Sequence, residues 1–156
     1  MAFPNPESAL VIRSSYLWHS EHVAGREEGI KDRPCAIVAA IKKDDDGQWQ
    51  TLVLPVTHSA PTNPENAIEI PLETKKRLGL DGERSWVVLT EWNEFSWPGP
   101  DLRMVAGSDE KTVAYGYLPA KFFARVRTEF AEKAQKGAAK RIKRTEQTIK
   151  ATPIGC

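Results

Sequence analysis

Two cysteines in 156 residues are too few for a disulfide framework, and they stand far apart, Cys35 inside an apolar run and Cys156 at the last position. This excludes the small cross-linked scaffolds and makes Cys35 a small core residue rather than a nucleophile. No apolar run approaches the roughly 18 residues that a membrane-crossing helix needs. The opening Met1-Ala2-Phe3-Pro4-Asn5-Pro6-Glu7 has neither a basic flank nor a long apolar stretch. The expectation is a cytoplasmic protein with no membrane partner. Internal repeats are absent, and the one biased stretch is an Ala/Lys-rich tail.

What remains is an ordinary globular composition, 40% hydrophobic, long enough for one domain with a real core. The formal net charge of +1 hides an uneven distribution. Residues 119–150 carry 10 Lys or Arg against 3 Asp or Glu, a sum of +7, which leaves 12 basic and 18 acidic residues, or −6, in residues 1–118. A basic arm on an acidic body attracts nucleic acid, an acidic partner or the acidic body of a second copy, and charge alone does not choose.

Residues 10–18 read as a first strand, because β-branched and aromatic residues dominate. Residues 19–32 carry Gly25 and Gly29 among many charges and read as a long loop. Residues 34–41 are nearly all apolar, a buried second strand; 42–47 form a turn, and a third strand runs from Trp49 to Thr57. Antiparallel pairing of these two sets Arg33, at the entry of one, beside Thr57, at the exit of the other. Ala67-Ile68-Glu69-Ile70 alternates like a short strand. A short helix follows between Pro71 and Gly79, and residues 85–91 form a strand that Trp92-Asn93-Glu94-Phe95-Ser96-Trp97 continues or turns out of. From Pro119 the spacing of Phe122, Val126 and Phe130 is helical, fading beyond Phe130 into alanines and charges, where the helix continues with little core contact or frays. Short strands, long loops and a closing helix predict a strongly bent sheet or small barrel.

Two runs carry chemistry: Arg33-Pro34-Cys35-Ala36-Ile37-Val38 and Leu52-Val53-Leu54-Pro55-Val56-Thr57-His58-Ser59. A guanidinium offers several donors to phosphate oxygens, and an imidazole moves a proton near neutral pH, so the pair suits work on a phosphodiester.

Read in order, a first strand, Glu27-Glu28-Gly29 in a loop, the Arg33-Pro34 step, Pro55-Val56-Thr57 at a strand end, Ala67-Ile68-Glu69-Ile70, Ser85-Trp86-Val87-Val88-Leu89, and Tyr115-Gly116-Tyr117-Leu118 before a helix form a succession. Over roughly residues 10–130 it resembles the MazF/PemK family of toxin endoribonucleases, the toxic halves of bacterial toxin–antitoxin pairs. The resemblance implies a mainly β fold, a small SH3-like barrel of the CcdB/MazF type with a short internal helix and a C-terminal amphipathic helix. That domain would fill residues 1–130, with a basic helical or frayed tail over 131–156. It further implies a homodimer, an antitoxin partner, and metal-independent cleavage of single-stranded RNA, with Arg33 and Thr57 carrying catalysis. Two features depart from the family: Ser8-Ala9-Leu10 replaces the glycine that opens the first strand, and the tail after about Phe130 is longer.

RNA is cut without a metal when its own 2′-OH attacks the adjacent phosphorus, giving a 2′,3′-cyclic phosphate and a 5′-OH. The protein must remove a proton, stabilise negative charge and protonate the leaving oxygen. Arg33 suits the second task, because guanidinium is always charged and donates to two oxygens at once. Thr57 holds a nonbridging oxygen or relays a proton, with Ser59 as a supplement. His58 is the best proton shuttle, with His22 and Glu27 or Glu28 as further options, and Lys31 adds a substrate-binding cation. Thr57 and His58 face Arg33 together only if the strand ends or bulges there. No cofactor or metal is expected.

Each residue also has a plainer reading. Arg33 pairs with Asp32 or a loop glutamate, Thr57 is an ordinary strand residue, and His58 is a structural histidine. Among the tryptophans, core or dimer packing is the common use, and Trp92, Phe95 and Trp97 are the most plausible exposed group. The alternative to an enzyme is a binding module on the same barrel, for instance a topoisomerase-inhibiting toxin, or one that holds RNA through Lys140, Arg141, Lys143 and Arg144.

Overall fold

A computed structural model describes residues 3–25, 31–43, 48–106 and 112–144. Among these residues eight strands form one curled, mainly antiparallel half-barrel sheet accompanied by three α-helices. In chain order these are β1 (Leu10–Ser14), α1 (His19–Val23), β2 (Arg33–Lys42), β3 (Trp49–Thr57), β4 (Ala67–Glu69), α2 (Leu72–Leu78), β5 (Trp86–Val88), β6 (Glu91–Trp97), β7 (Ala114–Tyr117), α3 (Ala120–Gln135) and β8 (Lys140–Lys143). Among the described residues, no helix is long and apolar enough to cross a membrane.

The continuous apolar run of β2 is explained by burial on both faces. Ala36 and Val38 join Val11, Leu54, Val87, Phe123, Val126 and Phe130 on one side; Cys35 and Ile37 join Leu10, Ile12, Val53, Phe95 and Trp97 on the other. Period-two alternation accounts for the split until Val38, where the ladder slips: Ile37 faces Val53 and Ala39 faces Leu52, with Val38 left over. This bulge lets Val38 and Ala39 share a face and adds the local twist that a curling sheet needs.

Strand β3 has a divided outer edge. Its residues Trp49–Val53 pair with β6, whereas Val56 and Thr57 pair with β5 at Val87 and Trp86. Leu54 and Pro55 pair with neither, so proline's missing N–H falls in the gap. On its inner edge β3 keeps β2, with Cys35 opposite Pro55.

Several expectations change. Helix α1 occupies part of the stretch read as loop, its first turn supported by Glu21, whose carboxylate accepts from the Trp18 N–H at 3.0 Å. Beyond α3 the chain is neither helical nor frayed through residue 143. Gly137 takes a φ of 74°, and β8 then runs parallel to β6 with Ile142 buried. Helical spacing in the alanines masked this turn, since alanine fits either element, and Gly137 alone signalled it. Phe95 and Trp97 are not exposed; β6 continues as a strand and buries both, while Trp92 is half-buried with its ring edge-on to Phe130 at 5.2 Å. The short helix between Pro71 and Gly79 is present as α2, ended by Gly79 at φ 74°.

Ala9 occupies the left-handed region at φ 78°. It lies in the Ser8-Ala9-Leu10 stretch that stands in place of an opening glycine. Its N–H donates to the Ile37 carbonyl and its carbonyl accepts from the Leu118 N–H, both at 2.9 Å, so the strained backbone is held by two ladders. A left-handed alanine costs roughly 1–2 kcal/mol, partly offset in a glycine variant by greater unfolded-chain entropy. Ala9→Gly is expected to raise unfolding free energy by about 0.5–1 kcal/mol in denaturant titrations; a lower midpoint would contradict the strain.

Candidate functional site

Arg33 opens β2 and Thr57 closes β3; continuing the Cys35–Pro55 register by two residues sets them opposite one another. The Arg33 guanidinium does not pair with Asp32, which faces Arg13 and Arg103 at 3.6 Å each. Its carbon lies 4.9 Å from the centre of the Trp18 ring, and Nη1 donates to the Val56 carbonyl at 3.3 Å. The Arg33 Nε is buried and has no hydrogen-bond partner among the described residues. The result is a cation over an aromatic face with donor capacity to spare.

Because β3 ends at Thr57, the next residue escapes strand alternation. Thr57 Oγ1 accepts the Ser59 N–H at 3.1 Å, a local hydroxyl turn, and His58 Nε2 meets Asp81 Oδ2 at 2.8 Å. A recess of about 210 Å³ is walled by Lys31, Asp32, Arg33, Pro34, Val56, His58, Lys75, Leu80, Asp81 and Ser85. Arg33 and His58 thus share one concavity, and Thr57 is not part of its wall.

The floor of the site comes from α2 and the turn after it. Thr74, Lys75 and Leu78 are the buried residues of α2, so a lysine points inward. Its ammonium donates to Asp81 Oδ1 at 2.6 Å, to Ser85 Oγ at 2.7 Å and to the Glu83 carbonyl. Three acceptors around a buried ammonium satisfy all three of its protons. Asp81 then divides its carboxylate, one oxygen for Lys75 and one for His58, and Oδ1 also accepts the Glu83 N–H at 3.1 Å. Partial burial pushes the Asp81 carboxyl up, but the donors of Lys75, Glu83 and His58 outweigh it and hold the group below the ordinary carboxylate range. With Nε2 engaged by Asp81, Nδ1 is the nitrogen of His58 left to handle a proton.

The remaining candidates scatter. Lys31 is exposed and lines the recess. Ser59 is exposed beside Thr57, supplying only its N–H. His22 is exposed on α1 and is not part of the wall. Glu27 and Glu28 lie outside the described residues. Cys35 is fully buried, and burial pushes its thiol up to about 12, so it is no nucleophile at neutral pH. Sequence reasoning missed Lys75, Asp81 and Ser85. The run Lys75-Lys76-Arg77 looks like a solvated helix end, and only the apolar spacing of α2 against the core tells that the first of the three turns inward.

His58, Asp81 and Glu83 place one potential metal ligand atom each within 4.8 Å of one another, all on exposed residues. The Lys75 ammonium already rests on Asp81 and on the Glu83 carbonyl, a fixed positive charge that opposes a second cation there. The donor set therefore fits a lysine-anchored ion-pair network better than a metal centre.

Comparison of the chain with protein-family models, with curated proteins and with solved structures gives no match.

A carboxyl whose proton affinity is lowered on folding stabilises the fold above its unfolded value, and that contribution disappears as pH falls through the folded value. The difference in unfolding free energy between wild type and Asp81→Asn is therefore expected at full size above about pH 4 and to shrink under stronger acid. A difference that stays constant into strong acid would contradict the network. Lys75→Met, which strands two oxygen acceptors and the carboxylate, is expected to lower stability at neutral pH by about 1–3 kcal/mol.

Proposed function

We propose that the recess binds a phosphate of single-stranded RNA and that the protein is a sequence-selective endoribonuclease of the toxin type, cutting by 2′-OH attack without a metal. The observation that carries this reading is that Arg33 and His58 line the same recess, a charged fork beside an oriented imidazole. Arg33, whose Nη2 has no partner among the described residues, donates to the phosphate oxygens and stabilises the charge that grows on them. His58 takes the 2′-OH proton at Nδ1 and delivers it to the leaving 5′ oxygen, so the step consumes no net proton. Asp81 fixes the imidazole and offsets the charge of the imidazolium, while Lys75 keeps Asp81 in place. Lys31 adds a second cation to the phosphate site. Thr57, opposite Arg33 in register but outside the wall, acts by shaping the turn that releases His58 from the strand. A homodimer and an antitoxin partner belong to the same proposal.

Binding without turnover is a second reading, favoured by the exposed Lys140, Arg141 and Lys143 on the edge strand β8. Arg144 drops out of that basic set, because its side chain is buried.

Purified protein incubated with a mixed-sequence RNA pool in excess EDTA is expected to yield fragments with 2′,3′-cyclic phosphate and 5′-OH ends. Arg33→Ala is expected to lower the rate about 100- to 1,000-fold and His58→Gln about 100- to 10,000-fold. RNA that is retained, in a salt-sensitive manner, with no new ends would favour the binding module and end the enzymatic reading.

A further inference from the structure

The Trp18 ring that carries Arg33 is not part of any strand. It belongs to residues 15–18, an irregular segment between β1 and α1 that has no ladder of its own. Buried backbone outside a ladder must find partners elsewhere, and here other parts of the chain supply most of them. Asn93 on β6, itself 2% exposed, faces Leu17 with both ends of its amide: Oδ1 accepts the Leu17 N–H at 2.9 Å and Nδ2 donates to the Leu17 carbonyl at 2.8 Å. Glu91, also on β6, accepts the His19 N–H at 2.8 Å and the Tyr16 hydroxyl at 3.2 Å. The Tyr16 ring meets the Trp18 ring edge-on at 5.1 Å.

Arg144, directly after β8, completes the arrangement. Its guanidinium donates to the Ser15 carbonyl at 2.8 Å and to Asn93 Oδ1 at 3.0 Å, and pairs with Asp101 at 2.7 Å. Its own N–H donates to the Glu94 carbonyl at 2.7 Å, which continues the β8–β6 pairing to this residue. Arg144 therefore grips the segment at Ser15 directly and at Leu17 through Asn93, while the next side chain along, Trp18, lies against Arg33.

We infer that Arg144 is a positioning residue for the phosphate site: β8 and the residue after it form a strap that fixes residues 15–18 and thereby holds the Trp18 ring beneath the Arg33 guanidinium. The inference rests on the reading of Arg33 as the phosphate-binding group. It adds that the orientation of this group depends on a residue in the basic tail that is not itself part of the recess wall. A merely structural Arg144 would change stability and leave the Trp18–Arg33 contact intact in whatever fraction stays folded.

The test reads that contact directly. In the folded wild type the Trp18 ring current shifts the Arg33 side-chain proton resonances upfield, assigned by their loss in Trp18→Leu. Arg144→Met, which keeps the apolar stem and removes the charge, is expected to move these resonances toward their free-chain positions and to lower cleavage of the mixed-sequence RNA pool about 10- to 100-fold, at a temperature where circular dichroism reports a native sheet. Arg144→Lys keeps a cation for Asp101 but cannot reach three acceptors in fork geometry; it provides the same two readouts if the methionine variant does not fold. Unchanged Arg33 resonances in a folded Arg144 variant would overturn the inference whatever the cleavage rate does. If the wild type cuts no RNA, the ribonuclease reading fails by itself, and the resonance shift still decides whether the strap positions Arg33.

Discussion

Strand β3 has two outer partners and one inner one, and the shape of the molecule follows from how it divides them. Its first half is occupied by β6 and its last two residues by β5, with Pro55 in the gap where no donor is required. A strand that serves two neighbours along one edge cannot stay flat, and the bulge at Val38 on its inner neighbour adds the matching twist. The curl makes β3 end early, and that ending frees His58 from the strict alternation that would have turned it away from Arg33.

The recess is then a matter of satisfying buried polar groups. One inward lysine on a seven-residue helix imposes the arrangement: its three protons need three acceptors, and Asp81, Ser85 and the Glu83 carbonyl supply them. Asp81 has a second oxygen left for His58. On the other side of the recess the Arg33 cation meets no carboxylate among the described residues, only an aromatic face and one carbonyl, so it retains donors. The recess thus has the Lys75–Asp81 ion pair at one end and, at the other, a guanidinium without a carboxylate partner among the described residues.

Much of the frame was legible in the sequence because its physical signals are local. The β2–β3 hairpin follows from apolar runs around a charged turn, and its register brings Arg33 and Thr57 opposite one another. Helix α2 follows from proline and glycine at its ends. The misses share a cause, since each depends on contacts distant in sequence. β8 is a strand because an open edge of β6 receives it, not because Lys140-Arg141-Ile142-Lys143 has any strong propensity. Lys75 differs from Lys76 and Arg77 only in which way the core turns its helix. Asp81 gains a role only once α2 has delivered a lysine beside it, and nothing in Leu80-Asp81-Gly82 announces that.

The contact between Arg144 and Ser15 spans 129 residues. Loop closure over such a span comes late, after local hairpins and helices have formed. During synthesis the segment bearing Trp18 waits for this partner until residue 144 has emerged from the ribosome. A nascent chain of this fold therefore carries that segment unfastened while more than a hundred further residues are added.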